Sequence, residues 1–90
     1  MRCATAGTLE SNDIFITISE GEAGRDNEIL LESIVQKQFG PDIVAAIEGA
    51  LDRFGLAGVR VEARDKGALD CTIAARMETA ILRYKELPAC

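Results

Sequence analysis

Ile14, Ile16 and Ile18 alternate with Phe15, Thr17 and Ser19. A repeat of two with β-branched residues on one side marks a half-buried strand. Val59, Val61 and Ala63 alternate with Arg60, Glu62 and Arg64 in the same way. Ile29 and Leu31 suggest a further strand, although Ile34 and Val35 also suit the first turn of a helix. Asp65-Lys66-Gly67 has turn composition, and beyond it Leu69, Cys71 and Ile73 alternate with Asp70 and Thr72, which predicts a hairpin. Gly40-Pro41-Asp42 predicts a helix start, with proline near the first helical position and an acid in the first turn. Ile43, Ile47, Leu51 and Phe54 then form one apolar face, and Gly55 is placed to end that helix. Ile73, Met77, Ile81 and Tyr84 share a second helical face with Pro88 just beyond it; Ile73 fits both periods, so the boundary there stays open. Met1 to Asp13 is small and polar and reads as a flexible or loosely paired lead-in, and Gly21 to Asn27 reads as a loop. The predicted order is ββαββα. This is an α+β fold: a small antiparallel or mixed four-stranded sheet with two helices on one face.

Ninety residues are expected to make one domain spanning 1–90, with one modest core. Hydrophobic residues at 48% and charged residues at 28% fit a globular rather than a disordered chain. Lys and Arg number 10 against 15 Asp and Glu, so the net charge is −5 and nucleic acid is a poor partner. No apolar run approaches the roughly 18 residues of a membrane span. The first dozen residues lack the layout of a signal peptide, so the reducing cytoplasm is the expected compartment. Histidine is absent, which removes Ser-His and Cys-His nucleophile pairs and histidine metal sites. Cys3, Cys71 and Cys90 are odd in number and have no C-x-x-C spacing, so neither a disulfide framework nor a zinc site is expected. Cys71 reads as a small buried hydrophobe, and Cys3 and Cys90 as exposed thiols. Such a chain is expected to bind or carry something rather than to catalyse.

Few segments suggest chemistry. Gly21-Glu22-Ala23-Gly24 has neither the length nor the lysine of a phosphate-binding loop, and reads better as a solvated loop. Glu20, Glu22, Asp26, Glu28 and Glu32 read as a solvated acidic face, because a catalytic carboxylate pair needs a cleft to hold it. Met77 and Tyr84 read as core. The only serines are Ser11, Ser19 and Ser33. Ser33 precedes Ile34-Val35 and reads as structural. Ser11 lies in a polar stretch directly before a strand, where it would be accessible to a modifying enzyme. From local sequence alone, a turn or strand-cap hydroxyl is the favoured reading of Ser11.

Ala6-Gly7-Thr8-Leu9-Glu10-Ser11-Asn12-Asp13 resembles the N-terminal motif of the citrate lyase acyl carrier proteins, the gamma subunits of that enzyme. Lys37-Gln38-Phe39-Gly40 followed by a helix resembles the middle of the same family. Asp65-Lys66-Gly67-Ala68-Leu69-Asp70-Cys71 followed by a helix rich in Arg, Ala and Leu resembles its C-terminal motif. The segments keep the family's order and spacing from Ala6 to Arg83. The malonate decarboxylase carrier subunit is a more distant comparison.

The resemblance implies that Ser11, on the 1–12 lead-in, carries a 2′-(5″-triphosphoribosyl)-3′-dephospho-coenzyme A group through a phosphodiester bond, a phosphoprotein linkage. It implies an acetylated thiol on that arm and exchange of acetyl for citrate by the alpha subunit, an acyl transferase. The beta subunit, a citryl lyase, then releases oxaloacetate, as in citrate fermentation. A prosthetic-group transferase and an acetylating ligase are implied as transient partners; nucleic acid and membrane are not. The carrier itself would catalyse none of these steps, and the signature Asp-Ser-Leu of the four-helix acyl carriers is absent. Residues 1–33 hold seven acids against two bases, so an acidic surround that repels the arm's phosphates is expected at Ser11. The alternative is a non-catalytic scaffold or interaction module with Ser11 unmodified. Glu10 and Asp13 are the neighbours most worth testing.

Overall fold

A computed structural model describes residues 2–22 and 26–87. The chain forms β1 (Cys3–Gly7), β2 (Ile14–Glu20), β3 (Glu28–Ser33), α1 (Gln36–Arg53), β4 (Val59–Asp65) and α2 (Asp70–Glu86). The four strands make one sheet in the order β1-β2-β4-β3. β1 and β4 both run antiparallel to β2, whereas β3 runs parallel to β4. The parallel pair is joined through α1, a crossover that parallel strands require.

Period-two burial places one face of the sheet inside. Ala4 and Ala6, then Ile14, Ile16 and Ile18, then Val59, Val61 and Ala63 are buried, with Ile29 and Leu31 packed beside them. Both helices cover that face with Ile43, Ile47, Ala50 and Leu51 from α1 and Ile73, Met77, Ala80, Ile81 and Tyr84 from α2. Full burial of each large apolar side chain contributes roughly 1.5–3 kcal/mol, so this layer supplies most of the driving force for the fold. The opposite sheet face carries Arg60 between Glu28 and Glu62, at 3.5 and 3.4 Å. No described helix is long and apolar enough to cross a membrane.

The α+β class, the mixed four-stranded sheet and the two helices on one face are as the pattern predicts. Two of the segments assigned to those elements are corrected. The fourth strand is not the segment 69–73 but the lead-in: Cys3–Gly7 pairs residue for residue with Phe15–Ser19, so the elements run βββαβα and not ββαββα. The alternation of 69–73 covers only the overlap of two periods. Continuing inward from Ile73 at helical spacing reaches Met77, Ile81 and Tyr84, and that longer face wins, with α2 starting at Asp70. Cys71 then lies well round the helix from Ile73 and is exposed, not buried. Cys3 is exposed on the edge strand, and Cys90 lies outside the described residues. α1 also begins earlier than Gly40. Its first turn is set by Gln38 and Phe39 donating to the Val35 carbonyl, which leaves Pro41 inside the helix on its exposed side. At the other end Gly55 stops α1 as expected. It has a positive φ of 64°, Gly55 N donates to Asp52 O, and Leu56 N donates to Leu51 O, the paired bonds of a Schellman cap.

Candidate functional site

Ser11 lies at the tip of the hairpin joining β1 to β2. The turn closes with Asp13 N donating to Glu10 O at 3.2 Å, which puts Ser11 and Asn12 at its two central positions. Asn12 has a positive φ of 65°, as the second central residue of a type II turn requires, and asparagine tolerates that conformation better than other side chains with a Cβ. Ser11 is exposed, and no hydrogen bond to another described residue engages its hydroxyl. The other serines differ. Ser19 is part of β2 on the open sheet face, and Ser33 Oγ donates to Asp65 Oδ2 at 2.7 Å while accepting from Val35 N.

The exposed tip stands on a fastened base. Asn12 N donates to Lys66 O and Lys66 N donates to Asp13 O, both at 2.8 Å, which extends the β2–β4 ladder by one step and straps the Ser11 turn to the β4–α2 loop. Asp13 is buried, and its carboxylate accepts from four donors: Thr8 Oγ1 at 2.7 Å, Ile14 N at 2.7 Å, and Arg76 Nε and Nη2 at 3.0 and 2.9 Å. The Arg76 contact is a parallel two-bond fork, the strong geometry for guanidinium and carboxylate. Hydrogen bonding by Arg76, then by Thr8, holds the Asp13 carboxyl down at about 2. Asp65, also buried, organises the neighbouring loop by accepting from Ser33 Oγ and Ala68 N. Gly7 makes the packing possible. A Cβ there would lie 1.8 Å from Ile14 O and 3.4 Å from Arg76 Cδ, and φ is 94°.

The Asp13 carboxyl is depressed in the folded state, so its contribution to stability is fully present above about pH 4 and is lost as pH falls through about 2. The Arg76 side chain is 40% exposed, so solvent screening weakens this contribution. In urea unfolding, Arg76→Leu is therefore expected to be less stable than the parent at pH 6, and the gap should close between pH 4 and pH 2. A gap that does not vary with pH would show that the ion pair is not its source.

The expected acidic surround of Ser11 is corrected by the fold. Glu20, Glu22, Asp26 and Glu28 gather with Arg60 at the opposite end of the sheet, roughly 20 Å away along β2. Asp13 is neutralised by Arg76, and Glu10 is the acid beside Ser11. Thr8, Lys66 and Arg76 are the residues that sequence reasoning missed. Asp13 offered the only signal, a charge placed directly before an apolar strand and so in need of a partner. No group of three or more metal-ligating side chains occurs among the described residues.

Residues 6–13, 37–40 and 65–71, far apart in the chain, meet at this end of the sheet. Asn12 and Asp13 bond Lys66, and Phe39 lines a groove together with Gly67 and Leu69. Residues 1–84 match the family model of the acyl carrier protein described as the malonate decarboxylase delta subunit. The chain is 54% identical over 80 residues to the citrate lyase acyl carrier protein of Latilactobacillus sakei, covering 89% of this chain and 77% of that one. The chain belongs to the family of citrate lyase acyl carrier proteins. The counterpart from Streptococcus mutans is 49% identical over 84 residues (93% of this chain, 81% of that one), and that from Edwardsiella ictaluri 40% over 84 residues (93% and 85%). A chain in the crystal structure of a Pseudomonas malonate decarboxylase hetero-tetramer in complex with malonate shares the fold, with a TM-score of 0.77 at 18% identity over 91% of this chain and 82% of that one. The family is one of non-catalytic acyl carriers.

Proposed function

We propose that the chain is the acyl carrier subunit of a citrate lyase, with Ser11 as the covalent attachment point of 2′-(5″-triphosphoribosyl)-3′-dephospho-coenzyme A. The observation that carries the proposal is the contrast at the hairpin tip: a solvent-facing, uncommitted Ser11 hydroxyl on a turn strapped from beneath by Lys66 and the Asp13–Arg76 pair. The residues present fit the group. Ser11 is exposed on its turn, and of the two buried carboxylates near it Asp13 is neutralised by Arg76 while Asp65 is engaged by Ser33 Oγ and Ala68 N. When attached, the group supplies a thiol that holds the acetyl and citryl units as thioesters.

The chain's own contribution is presentation. Attachment forms one O–P bond at Ser11 Oγ and breaks a phosphoanhydride bond of the triphosphoribosyl group, diphosphate being the leaving group, and the hydroxyl proton must leave to a base. No described side chain bonds that oxygen, so the transferase is expected to supply the base. Fixing the turn lowers the entropy cost of entering each partner's active site. A long tether then keeps the thioester at a high effective concentration near both sites without a reaction pocket on the carrier. The partners are the alpha and beta subunits, with the transferase and an acetylating ligase acting transiently, and the compartment is the cytoplasm.

Intact-mass measurement of the protein from its native host tests this. A single large adduct mapping to Ser11 is expected. An unmodified mass within a complex that cleaves citrate would support the scaffold reading instead.

A further inference from the structure

A groove of about 870 Å³ lies between α1 and the start of α2. Phe39 and Ile43 line it from α1, and Leu69 and Ile73 line it from the α2 side. Its apolar rim is open, with Phe39 50% and Leu69 70% exposed. Adjacent apolar side chains left in water at a concave site mark a place where something binds. The groove mouth adjoins the Ser11 turn: Asn12 Oδ1 comes within 3.7 Å of the position a Cβ on Gly67 would take, and Gly67 lines the groove. Two carboxylates, Asp42 and Asp70, and one guanidinium, Arg53, also stand in the lining.

We infer that this groove receives the adenine base of the arm; the inference rests on the reading that Ser11 carries the dephospho-coenzyme A group. Three features select the base over the rest of the arm. Adenosine is the first aromatic part of the group out from the phosphodiester, so it is the part that reaches a mouth adjoining Ser11. Its ring is neutral and planar and suits the open faces of Phe39 and Leu69, since bases stack on aromatic side chains whatever their identity. The lining is net acidic, Asp42 and Asp70 against Arg53, which disfavours the diphosphate, and the two carboxylates can accept from the exocyclic amine of adenine. The docked base holds down the phosphoribosyl root of the arm and leaves the diphosphate and thiol end to travel between partner sites.

Tethering makes weak binding sufficient. A short flexible connection supplies millimolar effective concentration, so a free-ligand Kd of about 1–10 mM is enough to keep the base docked for a substantial part of the time. The test is titration of the full unmodified chain, 15N-labelled, with free 3′-dephospho-coenzyme A. Saturable shifts are expected at the amides of Gly67, Leu69, Asp70 and Ile73, whereas pantetheine and inorganic pyrophosphate leave them in place. Phe39→Ser and Leu69→Ser change exposed side chains, keep the far-ultraviolet spectrum and should weaken binding by about tenfold each. Absence of saturable shifts, or equal shifts with pantetheine alone, overturns the inference. So does a Phe39→Ser variant that loses its partner subunits while its dephospho-coenzyme A titration is unchanged, because the groove would then be a protein-docking face. The free-ligand titration does not depend on the Ser11 adduct, so a missing adduct refutes the carrier reading and leaves this measurement to stand or fall separately.

Discussion

Ser11→Ala is expected to abolish both the covalent adduct and citrate cleavage by the reconstituted complex while leaving the fold untouched. The separation follows from the geometry. The Ser11 hydroxyl contributes no hydrogen bond to another described residue, and its turn is held by the backbone bonds of Asn12 and Asp13. Exposed substitutions of this kind fall within about 0.5 kcal/mol, which for a domain of this size moves Tm by less than about 4 °C. The measurements are intact mass, oxaloacetate release after mixing with the other subunits, and a thermal melt. Activity retained in the alanine variant sinks the assignment. An unfolded variant would mean that the hydroxyl has a structural partner outside the described residues. Ser33→Ala is the contrasting control. It should leave the adduct in place and lower stability by about 1–3 kcal/mol, because it removes one donor from the buried Asp65.

Gly7→Ala produces the second large effect, and it acts through the fold. A Cβ at Gly7 would lie 1.8 Å from the Ile14 carbonyl oxygen, a backbone atom that cannot swing aside as a side chain can. The φ of 94° adds strain for any residue with a Cβ. Relief requires β1 to separate from β2 at the base of the Ser11 hairpin, where the Arg76 stem also packs. A loss of about 3 kcal/mol or more is expected, equivalent to a Tm fall of roughly 12–24 °C. Gly55→Ala provides a calibration. That glycine also has positive φ, but a Cβ there meets nothing within 4 Å, so only backbone strain of about 1 kcal/mol is expected. Equal effects at the two positions would show that close approach to Ile14 is not what requires Gly7.

These expectations separate what was legible along the chain from what was not. Strands β2 and β4 were legible because each buries one clean side; the alternation of Ile14, Ile16 and Ile18 cannot be satisfied by a helix. The end of α1 was legible because Gly55 supplies a conformation that other residues adopt only with strain. β1 was not legible: Cys-Ala-Thr-Ala-Gly buries only two small side chains, too little for a periodic signal, and β2 beside it supplies the pairing. The start of α2 is ambiguous along the chain because five alternating residues satisfy a strand and a helix boundary equally well, and only packing on β1 and β2 chooses between them.

For the site, the motif around Ser11 and its likeness to a family of carriers were open to inspection in the linear order of residues. Ser33 could be set aside on the same terms. The supports of Ser11 were not readable in that way. Asp13 and Arg76 are 63 positions apart and meet because α2 lies across β1 and β2. Four of the seven acids counted near Ser11 along the chain, Glu20, Glu22, Asp26 and Glu28, stand at the other end of the sheet, because β2 carries the chain away from the hairpin tip. Local order determined which residue offers a hydroxyl, which segments alternate and where the chain must turn. Tertiary structure decided which charges surround that hydroxyl, what holds its turn in place and which groove adjoins it, because those depend on distances that only the packed helices and sheet establish.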